Sequence, residues 1–328
     1  MESKARDLMK AVAVTSHGSP PELVDLPGPS VVDDHDLLLD VLAAGLHPVV
    51  RAQAGGTHYT STRALPFVPG IDGVGRDAAG GLRYFVLLGA AGGAMAEQVV
   101  VDARHTVLLP SGADLVAVAA TMNPAMSAWL ALRVRTRVER GRDVLVLGAT
   151  GNSGRMAVRI AALLGARRVV AAGRDPDRLA ELPALGATDV VPLDDVDLLA
   201  ATAADVDVVL DYVWGPPTTA VLTGIAARRT DPRRTLTWVE IGSVAGPDAV
   251  LPSAALRSCR IELVGSGRGS LGAGEVVAGL TELAVPVAAG ELAVDAEVRP
   301  LSDIARSWRD AERLTRRIVL VPGLGVGA

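Results

Sequence analysis

The chain has 328 residues, 49% of them hydrophobic and 21% charged, which suffices for two domains of ordinary size with a large buried core. A net charge of −5 argues against a polyanion-binding surface, so no nucleic-acid partner is expected. The single cysteine, Cys259, excludes an internal disulfide and any zinc site built on several thiolates.

From Met9 to about Ala103, short apolar segments alternate with turn residues: KAVAV, DLLLDVLAAGLHP, LPFVPGIDGVG, LRYFVLL and AEQVVVD. They predict a compact, largely antiparallel β-domain. From Leu115, LVAVAATMNPAMSAWLALRV has helical spacing, with Pro124 kinking or restarting the helix. Strands then alternate with helices. DVLVLGA precedes a helix over 153–165, RRVVAAG one over 176–185, and TDVVPL, VDVVLDYV, LTWVEIG and IELVGSG follow. Apolar strands in such alternation predict an α/β fold with a parallel, doubly wound sheet. A helix at about 274–289 and the strands AEVRPL and RIVLVP finish the chain, which has no repeat and no low-complexity linker.

The amino-terminal MESKARDLMK is charged and lacks the apolar core of a signal peptide. Gly, Pro, Arg or Asp interrupts every apolar run before it reaches membrane-spanning length, so no membrane partner and a cytoplasmic location are expected. Almost all basic residues are arginines, Lys4 and Lys10 being the only lysines, so arginines as a class carry little functional information.

The stretch VLVLGATGNSGR, residues 144–155, carries the main chemical signal. Counted from Ala149, it reads A-x-G-x-x-G through Ala149, Thr150, Gly151, Asn152, Ser153 and Gly154. Gly151 lets backbone approach a pyrophosphate, Gly154 lets the helix pack on the strand, and the helix N-terminus faces the phosphates. Met156, Ile160, Leu163 and Leu164 would give that helix its buried face. A tight turn without a ligand is the alternative. The strand, turn, helix and second strand arriving at the right spacing favour a dinucleotide. A P-loop is excluded, because no Gly-Lys-Ser/Thr is present.

The second strand ends in VVAAGRDPDRL, placing Gly173 and Arg174 where an NAD-binding chain usually carries an acid. A guanidinium there suits a 2′-phosphate, with Arg178 one helical turn on. A charge-assisted contact worth roughly 1.5–3 kcal/mol favours NADPH over NADH about tenfold to a hundredfold. Asp175 would favour NADH if it were the tip acid, and a solvated Arg174 is the bland alternative.

The segments LPFVPGIDGVG, GAMAEQVVV, NPAMSAWLAL and VLVLGATGNSG, in this order, resemble the medium-chain dehydrogenase/reductases, and among them the zinc-independent quinone oxidoreductases. The glycine loop alone is also similar to the GATGxxG start of atypical short-chain reductases, which begin with that motif and have no domain before it. The resemblance covers nearly the whole chain and is much more specific for fold and cofactor than for substrate. It implies a GroES-like domain over 1–118 and 273–328 and a Rossmann NADPH-binding domain over 119–272, with the substrate between them. Zinc-dependent relatives carry a Cys near the first AAG turn and Gly-His-Glu before GVG. Here GLHPVV and PGIDGVG stand there, with Ile71 and Asp72 in place of His and Glu, and the four-cysteine lobe is absent. The resemblance therefore implies no metal.

Quinone oxidoreductases usually show G-x-N-x-x-D at GLHPVV, where this chain has His47 and Val50. His47 would contact the nicotinamide ribose or deliver a proton, unless it is a histidine simply held inside the domain. Tyr59 falls where the family often places an aromatic residue at the substrate mouth, and His58 beside it is a further substrate-side candidate. His17, His35 and His105 have no ligand-spaced partners. The resemblance carries Asn123, Ser127, Ile241, Gly242, Ser243, Gly265 and Ser266 to the nicotinamide half of the cofactor. Asp211, Tyr212 and Trp214 end the strand VDVVLDYVWGPP towards the cleft edge, Tyr212 and Trp214 as substrate contacts. For the cofactor positions ordinary strand-end turn chemistry is the alternative, and for Trp214 a capped core residue.

The expected reaction is hydride transfer from NADPH to a quinone or to the β-carbon of an enone, with Tyr59 or His47 polarising the acceptor oxygen. Reduction of a biosynthetic imine or enone, and a non-catalytic NADPH-binding role, are the rival readings. A small-molecule substrate and a homodimer through the RIELVGSG edge complete the expectations.

Overall fold

The computed structural model describes residues 8–89, 92–314 and 316–323. The elements begin with β1 (Leu8–Ala13), β2 (Glu22–Pro27), β3 (Asp36–Gly45), α1 (Pro48–Ala54) and β4 (Asp72–Arg76). β5 (Leu82–Val86), β6 (Gln98–Asp102), β7 (Thr106–Leu108) and α2 (Leu115–Trp129) follow. Next come β8 (Asp143–Leu147), α3 (Asn152–Leu163), β9 (Arg168–Gly173), α4 (Pro176–Glu181), β10 (Asp189–Pro192) and α5 (Val196–Thr202). The chain continues through β11 (Val208–Asp211), α6 (Gly215–Arg228), β12 (Leu236–Glu240), α7 (Ser253–Ser258) and β13 (Ile261–Gly265). It closes with α8 (Ala273–Ala288), β14 (Ala296–Pro300), α9 (Ile304–Asp310) and β15 (Arg317–Val321).

Two compact units result: residues up to Asn123 with those from Leu280 onward, and Pro124–Gly279. Both divisions fall inside helices, α2 and α8, where composition changes little.

In the first unit the main sheet has the order β14-β15-β3-β4-β5-β7, with β6 also paired to β3. Its pairings are antiparallel except β14 with β15, and β1 and β2 form a separate antiparallel pair. Alternating side chains of β3 and β15 meet Phe85 and Met95 in one core that includes Leu39, Val41, Ile318 and Leu320. Each such buried side chain contributes roughly 1.5–3 kcal/mol.

The second unit has six parallel strands in the order β10-β9-β8-β11-β12-β13. All five residues of β8 are buried, as a strand covered on both faces requires. From β8 the chain winds outward through β9 and β10, then crosses back to β11, β12 and β13. The order therefore reverses at β8, and the carboxyl ends beside it are where such sheets bind ligands.

Two expectations need correction. Pro124 does not restart the helix, because α2 runs through it and on into a π-helical turn over Leu130–Arg135. By length and composition the 21-residue helix Leu115–Arg135 would cross a membrane, but 67% of its apolar window is buried within the protein, as for a core helix. In α3, Leu163 is 42% exposed, and Gly154, Ala157, Val158 and Ala161 share the buried face with Met156 and Ile160. The strand β2 and the helices α1, α5, α6, α7 and α9 are not among the elements expected from the sequence. Asp195 caps α5, and Pro residues stand in the first turns of α1 and α6, signals that pointed to helices there.

Candidate active site

At the end of β8 the chain turns sharply. Gly148 N–H and Ala149 N–H both donate to the Ala172 carbonyl, at 2.9 and 2.8 Å. Gly148 has φ 86, and a Cβ on it would meet Tyr212 Cβ and Val213 Cγ2 at 3.2 Å. Gly148 thus makes the tight turn of the dinucleotide fingerprint, a role the count from Ala149 missed. A glycine directly after a buried strand was the available signal. Gly154 is required by packing: a Cβ there would lie 2.1 Å from the Gly148 carbonyl oxygen and 2.7 Å from Ala149 Cα.

Gly151 differs. Its φ of −77° and ψ of 163° suit any residue, and the nearest atom to an added Cβ is 3.7 Å away. Nothing inside the protein requires glycine here, so the open side of the loop is available to a ligand. Gly151 is also the N-cap of α3 and supplies no side-chain cap, leaving first-turn N–H groups to an anion. Asn152 and Ser153 form that first turn, half-buried.

At the tip of β9, a Cβ on Gly173 would collide with Thr150 Cγ2 at 2.4 Å, so strand and loop meet closely. Arg174 is exposed and has no ion pair among the described residues. Asp175 accepts the Arg178 N–H at 3.1 Å and so caps α4. Arg178 Nη1 donates to the Thr150 carbonyl at 2.8 Å, bracing the glycine loop from outside.

Along the carboxyl edge, the Ile241 and Gly242 N–H groups donate to the Asp211 carbonyl at 2.8 and 3.1 Å. Ser243 follows them in the same loop. Ser266 N–H donates to the Glu240 carbonyl at 2.8 Å, and the Gly265 carbonyl accepts from Arg135 Nε at 3.0 Å. Glu240 has its carboxyl pushed up, chiefly by burial and then by the charge of Asp211. The Tyr212 hydroxyl lies 3.0 Å from Ser127 Oγ, which donates to the Pro124 carbonyl, and burial raises the phenol above its ordinary range. Asn123 lies in α2 at the edge of the first unit, half-buried.

Asp211 does not face a cleft edge; it is wholly buried. Its Oδ1 accepts the N–H groups of Val213 and Trp214 at 2.8 and 2.9 Å. Its Oδ2 accepts Thr218 Oγ1 at 2.6 Å and Trp238 Nε1 at 2.9 Å. This network holds Trp214 at φ 54° and ψ −167°, a region almost confined to glycine that costs a larger residue about 1–3 kcal/mol.

In the first unit, His47 is the N-cap residue of α1 and is completely buried. A Cβ on Gly45 would strike its Nε2 at 2.4 Å, so glycine there makes room for the ring. His47 Nε2 is 3.1 Å from Asp72 Oδ1, but off hydrogen-bonding geometry, and neither ring nitrogen has a hydrogen bond among the described residues. Tyr84 donates its hydroxyl to Asp72 Oδ2 at 2.7 Å, and Arg317 donates to the Leu46 carbonyl at 3.0 Å. Burial lowers the His47 pKa, with Asp72 opposing and Arg317 reinforcing the shift. Burial likewise pulls Arg317 down to about 10. His47 is therefore a neutral interior group out of direct reach of solvent. Tyr59 is 71% exposed, its ring 4.4 Å from that of His58, whose Nδ1 lies 2.7 Å from Thr60 Oγ1. Among the described residues no three His, Cys, Asp or Glu side chains gather as a metal site.

A six-stranded parallel sheet whose order reverses beside a glycine turn and an uncapped helix is a dinucleotide-binding fold. No family model matches the sequence. The probable NADPH-dependent quinone reductase tdiC of Emericella nidulans is 32% identical, over 96% of this chain and 100% of its own length. Human quinone oxidoreductase is 34% identical over 51% of this chain and 54% of its own. The quinone oxidoreductase of Thermus thermophilus, whose structure was also solved in complex with NADPH, superposes with a TM-score of 0.79 at 28% identity, covering 95% of this chain and 100% of that one. The chain belongs to the quinone oxidoreductases of the medium-chain dehydrogenase/reductase superfamily.

Proposed function

We propose that the protein is a zinc-independent reductase that uses NADPH to reduce a quinone or an α,β-unsaturated carbonyl compound. The observation that carries this reading is the glycine loop, where Gly151 is open to a ligand and α3 has no side-chain cap. The loop from Ala149 to Gly154 would hold the pyrophosphate, and the free guanidinium of Arg174 the 2′-phosphate, beside Gly173. Arg178 acts through the Thr150 carbonyl and keeps the loop in shape. Asn123, Ser127, Ile241, Gly242, Ser243, Gly265 and Ser266 would border the nicotinamide half. When bound, the cofactor supplies the hydride.

On the acceptor side the exposed Tyr59 offers a hydroxyl donor, with His58 beside it, and the phenol polarises the acceptor oxygen as negative charge builds there. His47 acts from the interior as a positioning group: it starts α1 and stays neutral against Asp72. The donor set supports zinc independence. Ile71 and Asp72 replace the family's His-Glu pair, and His47 with Asp72 is too small a set for a closed or catalytic zinc site. The exposed edge strand β13, with Leu263 partly open, supports pairing with a second copy in a homodimer.

The test is oxidation of NADPH by the purified protein, with NADH as control, against a panel of quinones and enones. Turnover specific to NADPH is expected. Equal use of NADH, or no turnover together with no NADPH binding, overturns the reading.

A further inference from the structure

We propose that Trp214 is a wall of the dinucleotide site and that Asp211 is the positioning residue that holds it there. Trp214 occupies backbone space almost reserved for glycine, and Gly215 after it also has a positive φ of 68°. The surroundings over-determine this turn. Asp211 fixes the Val213 and Trp214 N–H groups on one carboxylate oxygen and is itself pinned by Thr218 and Trp238 on the other. The Val213 carbonyl accepts from Ala245 at 2.9 Å, and Tyr212 N–H donates to the Leu147 carbonyl at 3.1 Å.

Inside the protein the tryptophan side chain finds apolar cover on part of its surface only. It is half-buried, and among the described residues its indole has neither a hydrogen bond nor a ring contact. A glycine would satisfy the turn without strain, so the turn itself does not require the ring.

The place of the ring points to its use. On one side the turn abuts Gly148, whose Cβ position lies 3.2 Å from Tyr212 and Val213. On the other it abuts Gly242, whose Cβ position lies 3.3 Å from the Tyr212 carbonyl. Trp214 therefore follows directly on the segment between the loop that faces the phosphates and the strand end that faces the nicotinamide. A dinucleotide lying across the carboxyl ends of this sheet must pass over that segment. An indole beside it shields cofactor surface from water and stacks on a planar or ribosyl face.

This inference rests on the NADPH reading. NADPH affinity is measured on the full chain by titration, following energy transfer from tryptophan emission, alongside thermal unfolding without nucleotide. Trp214→Gly is expected to raise the Tm, because the strain is relieved, and to weaken NADPH binding about tenfold, or about 1.4 kcal/mol. Trp214→Phe keeps the ring and should bind within about twofold of wild type. Asp211→Asn should also weaken NADPH, and combining it with Trp214→Gly should add no further loss, because one acts through the other. Wild-type affinity in Trp214→Gly, or a raised quinone KM with unchanged NADPH affinity, overturns the wall. Multiplying losses in the double variant overturn the role of Asp211. Should Asp211→Asn fail to fold, the two Trp214 variants still decide the first part. A wild-type protein that binds no NADPH ends the underlying reading instead.

Discussion

Alanine at Gly151 and at Gly154 separates what the glycine loop needs for folding from what it needs for a ligand. At Gly154 the new Cβ would lie 2.1 Å from the Gly148 oxygen and 2.7 Å from Ala149 Cα, both backbone atoms with no flexible end to yield. Overpacking of this kind costs about 1–3 kcal/mol, and contacts this short belong at the upper end. At Gly151 the Cβ has 3.7 Å of room and an ordinary backbone, so the folded state accepts it. The unfolded chain loses freedom worth roughly 0.4–1 kcal/mol, but alanine is a poorer N-cap for α3 than glycine by a similar amount, so stability should change by less than about 1 kcal/mol. The same methyl would stand where the pyrophosphate approaches, at a cost of roughly 1–3 kcal/mol in binding, or about ten- to a hundredfold in Kd. Urea unfolding and NADPH titration measure the two effects separately. Gly151→Ala binding NADPH like wild type would refute the assignment of the loop. Unchanged stability in Gly154→Ala would refute the packing.

Arg174→Ala should weaken NADPH about ten- to a hundredfold and leave NADH untouched, whereas Arg178→Ala should weaken both nucleotides alike through the loop; equal loss of NADPH preference in both variants counts against this division. Asp211→Ala strands two backbone and two side-chain donors in the interior, and the urea midpoint should report a loss of at least about 3 kcal/mol. A loss below about 1 kcal/mol would mean those donors find other partners. Because burial lowers the His47 pKa, the unfolded chain binds its proton first as pH falls. This contribution is complete above about pH 6.5 and is lost below it, before the carboxylates titrate, so His47→Asn should flatten the stability curve between about pH 6.5 and 5. An unchanged slope in that variant would show that His47 does not set it.

Much of the second unit was legible in sequence. Parallel strands buried on both faces must be almost wholly apolar, and DVLVLGA, RRVVAAG and VDVVLDYV are, so strand and glycine turn announce themselves together. Short elements such as α1 and α5 carry too few residues for a period to emerge from the background of alanine and valine. The site divides similarly. The glycine turn after β8 and the position of Arg174 at the tip of β9 could be placed from spacing, because a β-turn-α unit fixes where they lie. Leu46, His47, Asp72, Tyr84 and Arg317 come from β-domain segments 271 residues apart at the extremes, and no local pattern joins them.

The sequence by itself determined the parallel sheet, the dinucleotide loop and the order of the longer elements, because these depend on neighbours in the chain and on periodicity. Only the tertiary structure decided which polar groups are spent inside. It buried His47 against Asp72, turned Asp211 from an edge residue into the clasp of a strained turn, and left Gly151 open while closing Gly154. Burial, desolvation and close approach are set by segments distant in sequence, and those distances exist only once the chain has folded.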